Sequence, residues 1–288
     1  LFHPYGKESD KMDKTQEKRH RIKLLAVDMD GTCLDGRSRM SRETVEALRE
    51  AARAGITVVP TTGRNLHCLP HRLAGERDIY RYVISSNGAV VTDCRTGKDL
   101  FRSMIPKETA LGLLRDCRRT GAGITAHLHH EYLIQGRLLV LLGRLIYGKD
   151  ARGVYRVKSM ERTIARSRYG VEEIQFYFLR PGVRERLEKL LKRTRGLTWA
   201  STSIYVEVFS EKTSKGMALA ALAERLGIKK EETACIGDGE NDLPMFRAAG
   251  LKMAMGNAVP ELREKADIIL PSNGRGGAAK GIRLCLPR

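Results

Sequence analysis

Short apolar runs separated by amphipathic stretches set the rhythm of the chain. The first, Ile22 to Val27, is nearly continuous and reads as a strand buried on both faces. Ser41 then stands where a helix N-cap belongs, with Glu43 in the first turn, Val45, Leu48 and Ala52 at helical spacing and a stop at Gly55. The cadence returns in the runs 56–59, 82–85, 233–236, 251–254 and 266–270, with helical patterns over 216–226 and 243–249. Strands alternating with helices imply right-handed crossovers, so the predicted fold class is α/β, a Rossmann-like doubly wound parallel sheet.

The cadence breaks between about 93 and 208. Amphipathic stretches (107–120 and 183–194) mix there with alternating runs (172–179 and 203–208), the pattern of an inserted α+β domain. The expected organisation is a polar tail over 1–21, a core from 22–92 and 209–288, and a cap over 93–208. The apolar run Leu138 to Tyr147 contains Arg144 and is too short to span a bilayer, so a buried or half-buried helix is expected there and no membrane partner.

Charge changes the picture inside the insertion. The chain carries a formal +18, and residues 93–208 alone hold 23 basic and 12 acidic side chains. Such an excess attracts anions, whether nucleic acid, a lipid surface or a phosphorylated small molecule. Six cysteines without paired spacing argue against zinc ribbons and a disulfide framework and fit a reducing cytoplasm.

Candidate chemistry gathers at the ends of the predicted core strands. Asp28 and Asp30 close the first strand, and two carboxylates about 4 Å apart repel by roughly 4 kcal/mol at an effective dielectric near 20, so the pair calls for a proton or a cation. Gly31 and Thr32 follow, allowing a tight turn and offering a hydroxyl. Thr61-Thr62-Gly63-Arg64 ends the second strand where a helix N-terminus would favour an anion. Ser214-Lys215-Gly216 places one ammonium at the start of another helix. Gly237-Asp238-Gly239-Glu240-Asn241-Asp242 is acidic and glycine-spaced, which suits a hard divalent cation and fails the dinucleotide fingerprint. Each motif alone also fits an ordinary turn, cap or surface role. All of them fall at strand C-termini of one sheet, where open α/β folds place ligands.

In this order the motifs resemble the haloacid dehalogenase superfamily, and more narrowly its Cof-type IIB phosphatases. Ser86-Asn87-Gly88-Ala89, Ala254-Met255-Gly256-Asn257-Ala258 and Ala266-Asp267 add to the likeness, which covers residues 22 to 283. The resemblance implies Asp28 as nucleophile and Asp30 as general acid and base. It implies Thr62, Gly63, Lys215 and Asn241 as phosphate holders, and Mg2+ held by the Asp28 carboxylate, the Asp30 carbonyl and Asp238. Thr32 would support these groups, and Asp242 would orient Lys215 or the metal's water shell. Ser272-Asn273-Gly274-Arg275 departs from the family in lacking acidic residues after the Asn.

The implied activity is hydrolysis of a small phosphorylated metabolite, a sugar phosphate or similar, through an aspartyl phosphate. A phosphomutase of the same superfamily and an anion or nucleic-acid binder using the basic cap are the alternatives. The intact set of chemical residues argues against the nucleic-acid reading. A basic cap should draw a multiply charged substrate. The run Ala126-His127-Leu128-His129-His130-Glu131 is expected to alternate along one strand, with structural rather than metal-binding histidines.

Overall fold

The computed structural model describes residues 22–137, 139–141 and 148–287. The expected tail and most of the 138–147 run lie outside them. Fourteen strands follow in chain order: β1 (Leu24–Asp28), β2 (Thr57–Thr61), β3 (Tyr82–Ser85), β4 (Val90–Asp93), β5 (Lys98–Arg102), β6 (Gly123–Leu128), β7 (Glu131–Gln135), β8 (Val154–Val157), β9 (Glu173–Tyr177), β10 (Leu197–Ser201), β11 (Tyr205–Ser210), β12 (Thr233–Gly237), β13 (Leu251–Ala254) and β14 (Ile268–Ile269).

The first sheet has the order β14-β13-β12-β1-β2-β3-β4-β5. It is parallel from β14 to β3 and closes with two antiparallel strands, so the sheet runs past the expected break at residue 93 to Arg102. Every residue of β1 is buried, which is why it reads as a continuous apolar run: helices cover both faces. Helix α1 (Arg42–Arg53) starts as expected, with the Ser41 hydroxyl accepting from Thr44 N at 3.0 Å, a cap worth about 1 kcal/mol. The chain order reverses beside β1, whose neighbours are β12 and β2, and a crevice opens at the C-terminal ends of these three strands.

The second sheet, β10-β11-β9-β6-β7-β8, is mostly antiparallel and two-faced. Ala126, Leu128, Ile174, Phe176, Val206 and Val208 share one buried cluster with α2 (Lys107–Cys117) and α3 (Val183–Leu191). The alternate positions, Thr125, Gln175, Tyr177, Tyr205 and Glu207, line the cleft against the first sheet.

The histidine run departs from its expected form. His129 and His130 have φ of 54° and 67° and form the two-residue turn between β6 and β7, the left-handed pair that matches strand twist. His127 is buried, His129 Nε2 lies 3.0 Å from Ser167 Oγ and His130 Nε2 lies 3.1 Å from Asp99, so the three rings serve separate structural contacts.

Candidate active site

The turn Met29–Cys33 leaves β1 directly over the crevice. Gly31 makes its shape possible: φ is +83°, and a Cβ there would fall 2.2 Å from Asp238 Oδ2. Asp238 therefore packs against backbone that only glycine can supply. Thr32 Oγ1 donates to Asp238 Oδ1 at 2.8 Å, and Asn257 Nδ2 donates to the Gly31 carbonyl at 2.8 Å.

Helix α4 (Lys215–Leu226) brings Lys215 under the same turn. Its Nζ donates to Asp28 Oδ1 at 2.6 Å and to Asp242 Oδ1 at 2.7 Å, and the residue is 2% exposed. Asp242 uses its other oxygen to accept from the amides of Asp238 (2.9 Å) and Gly239 (3.0 Å), which fixes the acidic loop after β12. Of the two roles expected for Asp242, the geometry shows the contact with Lys215.

Carboxylate oxygens of Asp28, Asp238 and Asp242 lie within 4.8 Å of one another, with one ammonium among them. Burial and the neighbouring Asp242 hold the Asp28 carboxyl well above its usual range, against the pull of Lys215. Burial also raises Asp238, while its two carboxylate partners raise Lys215 despite burial. One positive charge thus faces three buried or half-buried acids. This donor set fits a hard divalent cation, whose charge would offset the burial and mutual repulsion that raise the carboxyls. Asp242 is engaged through both oxygens, by Lys215 and by two amides, whereas Asp28 shares Lys215 through one oxygen.

The second motif brings Arg64 rather than only Gly63 into the site. Arg64 grips Asp30 with two bonds, Nε to Oδ2 at 2.9 Å and Nη2 to Oδ1 at 2.7 Å. Thr62 is buried, and its hydroxyl accepts from Arg64 N at 3.0 Å, so it supports the turn that aims the guanidinium. Asn241 Nδ2 donates to Asn87 Oδ1 at 3.0 Å, and Asn87 Nδ2 reaches Glu173 at 3.1 Å. Asn87 sits at φ +55°, a conformation Asn tolerates, and Gly88 beside it has no room for a side chain because a Cβ would lie 2.3 Å from the Ser214 carbonyl.

These groups surround a cleft of about 440 Å³. Asp28, Asp30, Gly63, Asp238 and Asn241 line it directly. Lys215, Thr32, Asp242 and Thr62 each touch a lining residue or another residue one step behind it.

The sequence profile of the haloacid dehalogenase-like hydrolases matches residues 25–282. The chain belongs to that family. Membership makes it a hydrolase, and the Cof-type likeness read from the motifs stands. Phosphatase YwpJ of Bacillus subtilis (strain 168) is 32% identical to this haloacid dehalogenase-like hydrolase, over 90% of this chain and 98% of that protein. A second protein of the same organism, 5-amino-6-(5-phospho-D-ribitylamino)uracil phosphatase YcsE, is 29% identical over 91% of this chain and 95% of its own length. A solved haloacid dehalogenase-like hydrolase from B. subtilis superposes with a TM-score of 0.76 at 29% identity, over 91% and 99% of the two chains.

The basic excess of the insertion is not in the cleft lining: among the described residues, Arg64 is the one basic side chain that lines it, and it comes from the turn after β2. Arg118 and Arg184 instead pair with Glu161 and Glu188 on the exposed surface. The wall opposite Asp28 is built from Tyr132, Tyr177, Tyr205, Gln175 and Glu207. Tyr132 and Tyr177 hydroxyls lie 2.9 Å apart, and Tyr132 donates to Gln175 Oε1 at 2.7 Å. Burial raises Glu207, and burial together with Glu207 raises Glu173 behind it.

Arg64, Asn87 and Asn257 were visible in the quoted motifs without being assigned a role. The wall residues carry a subtler signal: Gln175, Tyr177, Tyr205 and Glu207 stand at every second position of β9 and β11, between buried apolar side chains. No helix among the described residues is long and apolar enough to cross a membrane.

Proposed function

We propose that this haloacid dehalogenase-like hydrolase is a Mg2+-dependent phosphatase acting on a small phosphorylated metabolite, a sugar phosphate or similar, through a phosphoryl group carried on Asp28. The observation that carries the reading is the Asp28 carboxylate at the floor of the cleft, 2.6 Å from the buried Lys215 and beside Asp238. Asp28 and Asp238, with the Asp30 carbonyl, would hold the cation, which neutralises phosphoryl charge when bound.

Asp28 attacks phosphorus while Asp30 gives a proton to the leaving oxygen. Asp30 then takes a proton from water, which attacks the phosphoryl group and frees Asp28 and inorganic phosphate. Lys215, Asn241, Thr62 and the Gly63 backbone hold the phosphoryl oxygens, Thr32 steadies Asp238, and Asp242 keeps Lys215 in place. The second sheet with its helices, from about residue 103 to the end of β11, acts as the cap that selects the leaving group. A wall of tyrosines, Gln175 and Glu207 supports a hydroxyl-rich leaving group over a second anion. Cysteines outside any disulfide, Cys33, Cys68, Cys94, Cys117 and Cys235 among them, support a reducing, cytoplasmic setting.

The test is release of inorganic phosphate from a panel of phosphorylated metabolites that includes 5-amino-6-(5-phospho-D-ribitylamino)uracil. Phosphate is expected with Mg2+ and lost on chelation, and Asp28→Asn should be slower by about 10³-fold or more with unchanged circular dichroism. Equal rates for variant and parent would overturn the assignment, and transfer without free phosphate would make the protein a mutase.

A further inference from the structure

The wall opposite Asp28 spends its donors on itself. Tyr132 gives its proton to Gln175 Oε1 at 2.7 Å, and the Thr125 and Tyr177 hydroxyls reach the same oxygen at 3.1 and 3.3 Å. Gln175 Nε2 donates to Glu173 at 2.6 Å, which fixes the amide with its oxygen toward the three hydroxyls. Asn87 Nδ2 serves Glu173 at 3.1 Å and Glu207 at 3.4 Å, and the Tyr205 hydroxyl serves Glu207. A hydroxyl carries one proton and two lone pairs, so a wall that has used its protons internally offers lone pairs to whatever enters the cleft.

The charges around the cleft point the same way. Glu207 lines it and has no ion-pair partner among the described residues. Glu173 stands behind, fully buried. Lys215, whose charge reaches Glu207, is bonded to Asp28 and Asp242. Arg64 is bonded to Asp30 and, through Nη1, to Asp150 Oδ2 at 2.8 Å. Both cations are thus committed to other acids.

An ammonium has three donors, no acceptor and a full charge. Seated at Glu207 it would meet a wall of oxygens and supply the counter-charge that this carboxyl lacks, and charge-assisted bonds are about twice as strong as neutral ones. A hydroxyl in the same place supplies one proton and no charge. A second anion would meet only lone pairs and like charge.

We propose that the leaving group carries a protonated amine, making the substrate an amino alcohol or amino sugar phosphate, and that Glu207 is the specificity-determining residue that receives the amine. The inference rests on the phosphatase reading given above and names its substrate class.

The experiment measures kcat/KM with Mg2+ near neutral pH, where alkyl amines are protonated, on two matched pairs. These are glucosamine 6-phosphate against glucose 6-phosphate, and 2-aminoethyl phosphate against 2-hydroxyethyl phosphate. The parent should favour the amine about tenfold in at least one pair. Glu207→Gln should erase that preference, with p-nitrophenyl phosphate within about twofold of the parent. Equal efficiencies in both pairs, or a preference for the hydroxyl, overturn the substrate class. A preference that Glu207→Gln leaves intact overturns the role of Glu207. Where that variant does not fold, Glu207→Asp, which draws the charge back by one carbon, should reduce the preference about threefold, and an unmoved ratio overturns the role in the same way. If the parent releases no phosphate from p-nitrophenyl phosphate or any of the four esters, the phosphatase reading itself fails and takes this inference with it.

Discussion

The two sheets meet the cleft in opposite ways. The first offers the ends of its strands: backbone amides, a buried ammonium and carboxylates whose positions are set by turns with no spare room. The second offers a face, where side chains at alternate positions make hydrogen bonds to one another and to the rim through Asn87. Strand ends suit chemistry because main-chain geometry holds them rigidly. A strand face suits selection, because substituting one side chain in the row leaves the backbone as it was.

That contrast breaks most visibly at Lys215. Lys215→Met leaves Asp28 and Asp242 buried without their shared cation, and the metal-free protein should lose about 3 kcal/mol in denaturant unfolding. Phosphate release should fall by about 10³-fold, and a fall under tenfold would mean that the rim does not depend on this ammonium.

Glu207→Gln sharpens the comparison from the other side. It keeps the shape of the wall and removes one ionisable group, so kcat/KM for hydroxyl-rich monophosphates should fall about tenfold while p-nitrophenyl phosphate stays within about twofold. A matching loss on both substrates would place Glu207 with the chemistry.

The smallest effect concerns how the two sheets are joined. His127 lies under Ser86, 3.1 Å from its hydroxyl, with Glu173 at 3.8 Å, and burial drops the imidazole to about 3. The unfolded chain binds a proton near 6.5 that the folded chain refuses until about 3, so this residue's contribution to stability is lost as pH falls through that window. Glu173, raised by burial, acts with the opposite sign as pH rises above the ordinary carboxylate range, so the informative quantity is the difference between parent and His127→Asn. Unfolding measured at pH 6.5 and 5 should show that difference shrinking by about 1 to 2 kcal/mol. A constant difference would show that His127 accepts its proton while folded.

Much of the rim is legible in the sequence. β1 and its Asp28-x-Asp30 ending, the Ser41 cap, the acidic loop after β12 and Lys215 opening α4 all follow from local pattern, and each stands where the pattern puts it. The wall was less legible. Alternation along β9 and β11 shows that two faces differ, but not which face meets the helices and which the cleft. The histidine run carries the pattern of one strand, because a left-handed His-His pair gives no compositional warning of a turn.

The sequence by itself determined the doubly wound sheet and which residues stand at its carboxyl edge, because strand burial and turn chemistry are decided by neighbours a few positions away. Only the tertiary structure decided where the charge acts. It left the described basic side chains of residues 93–208 out of the cleft lining and joined Arg64 to carboxylates 34 and 86 positions distant. Pairings at such separations depend on how two sheets are set against each other, and no local period in a chain records that.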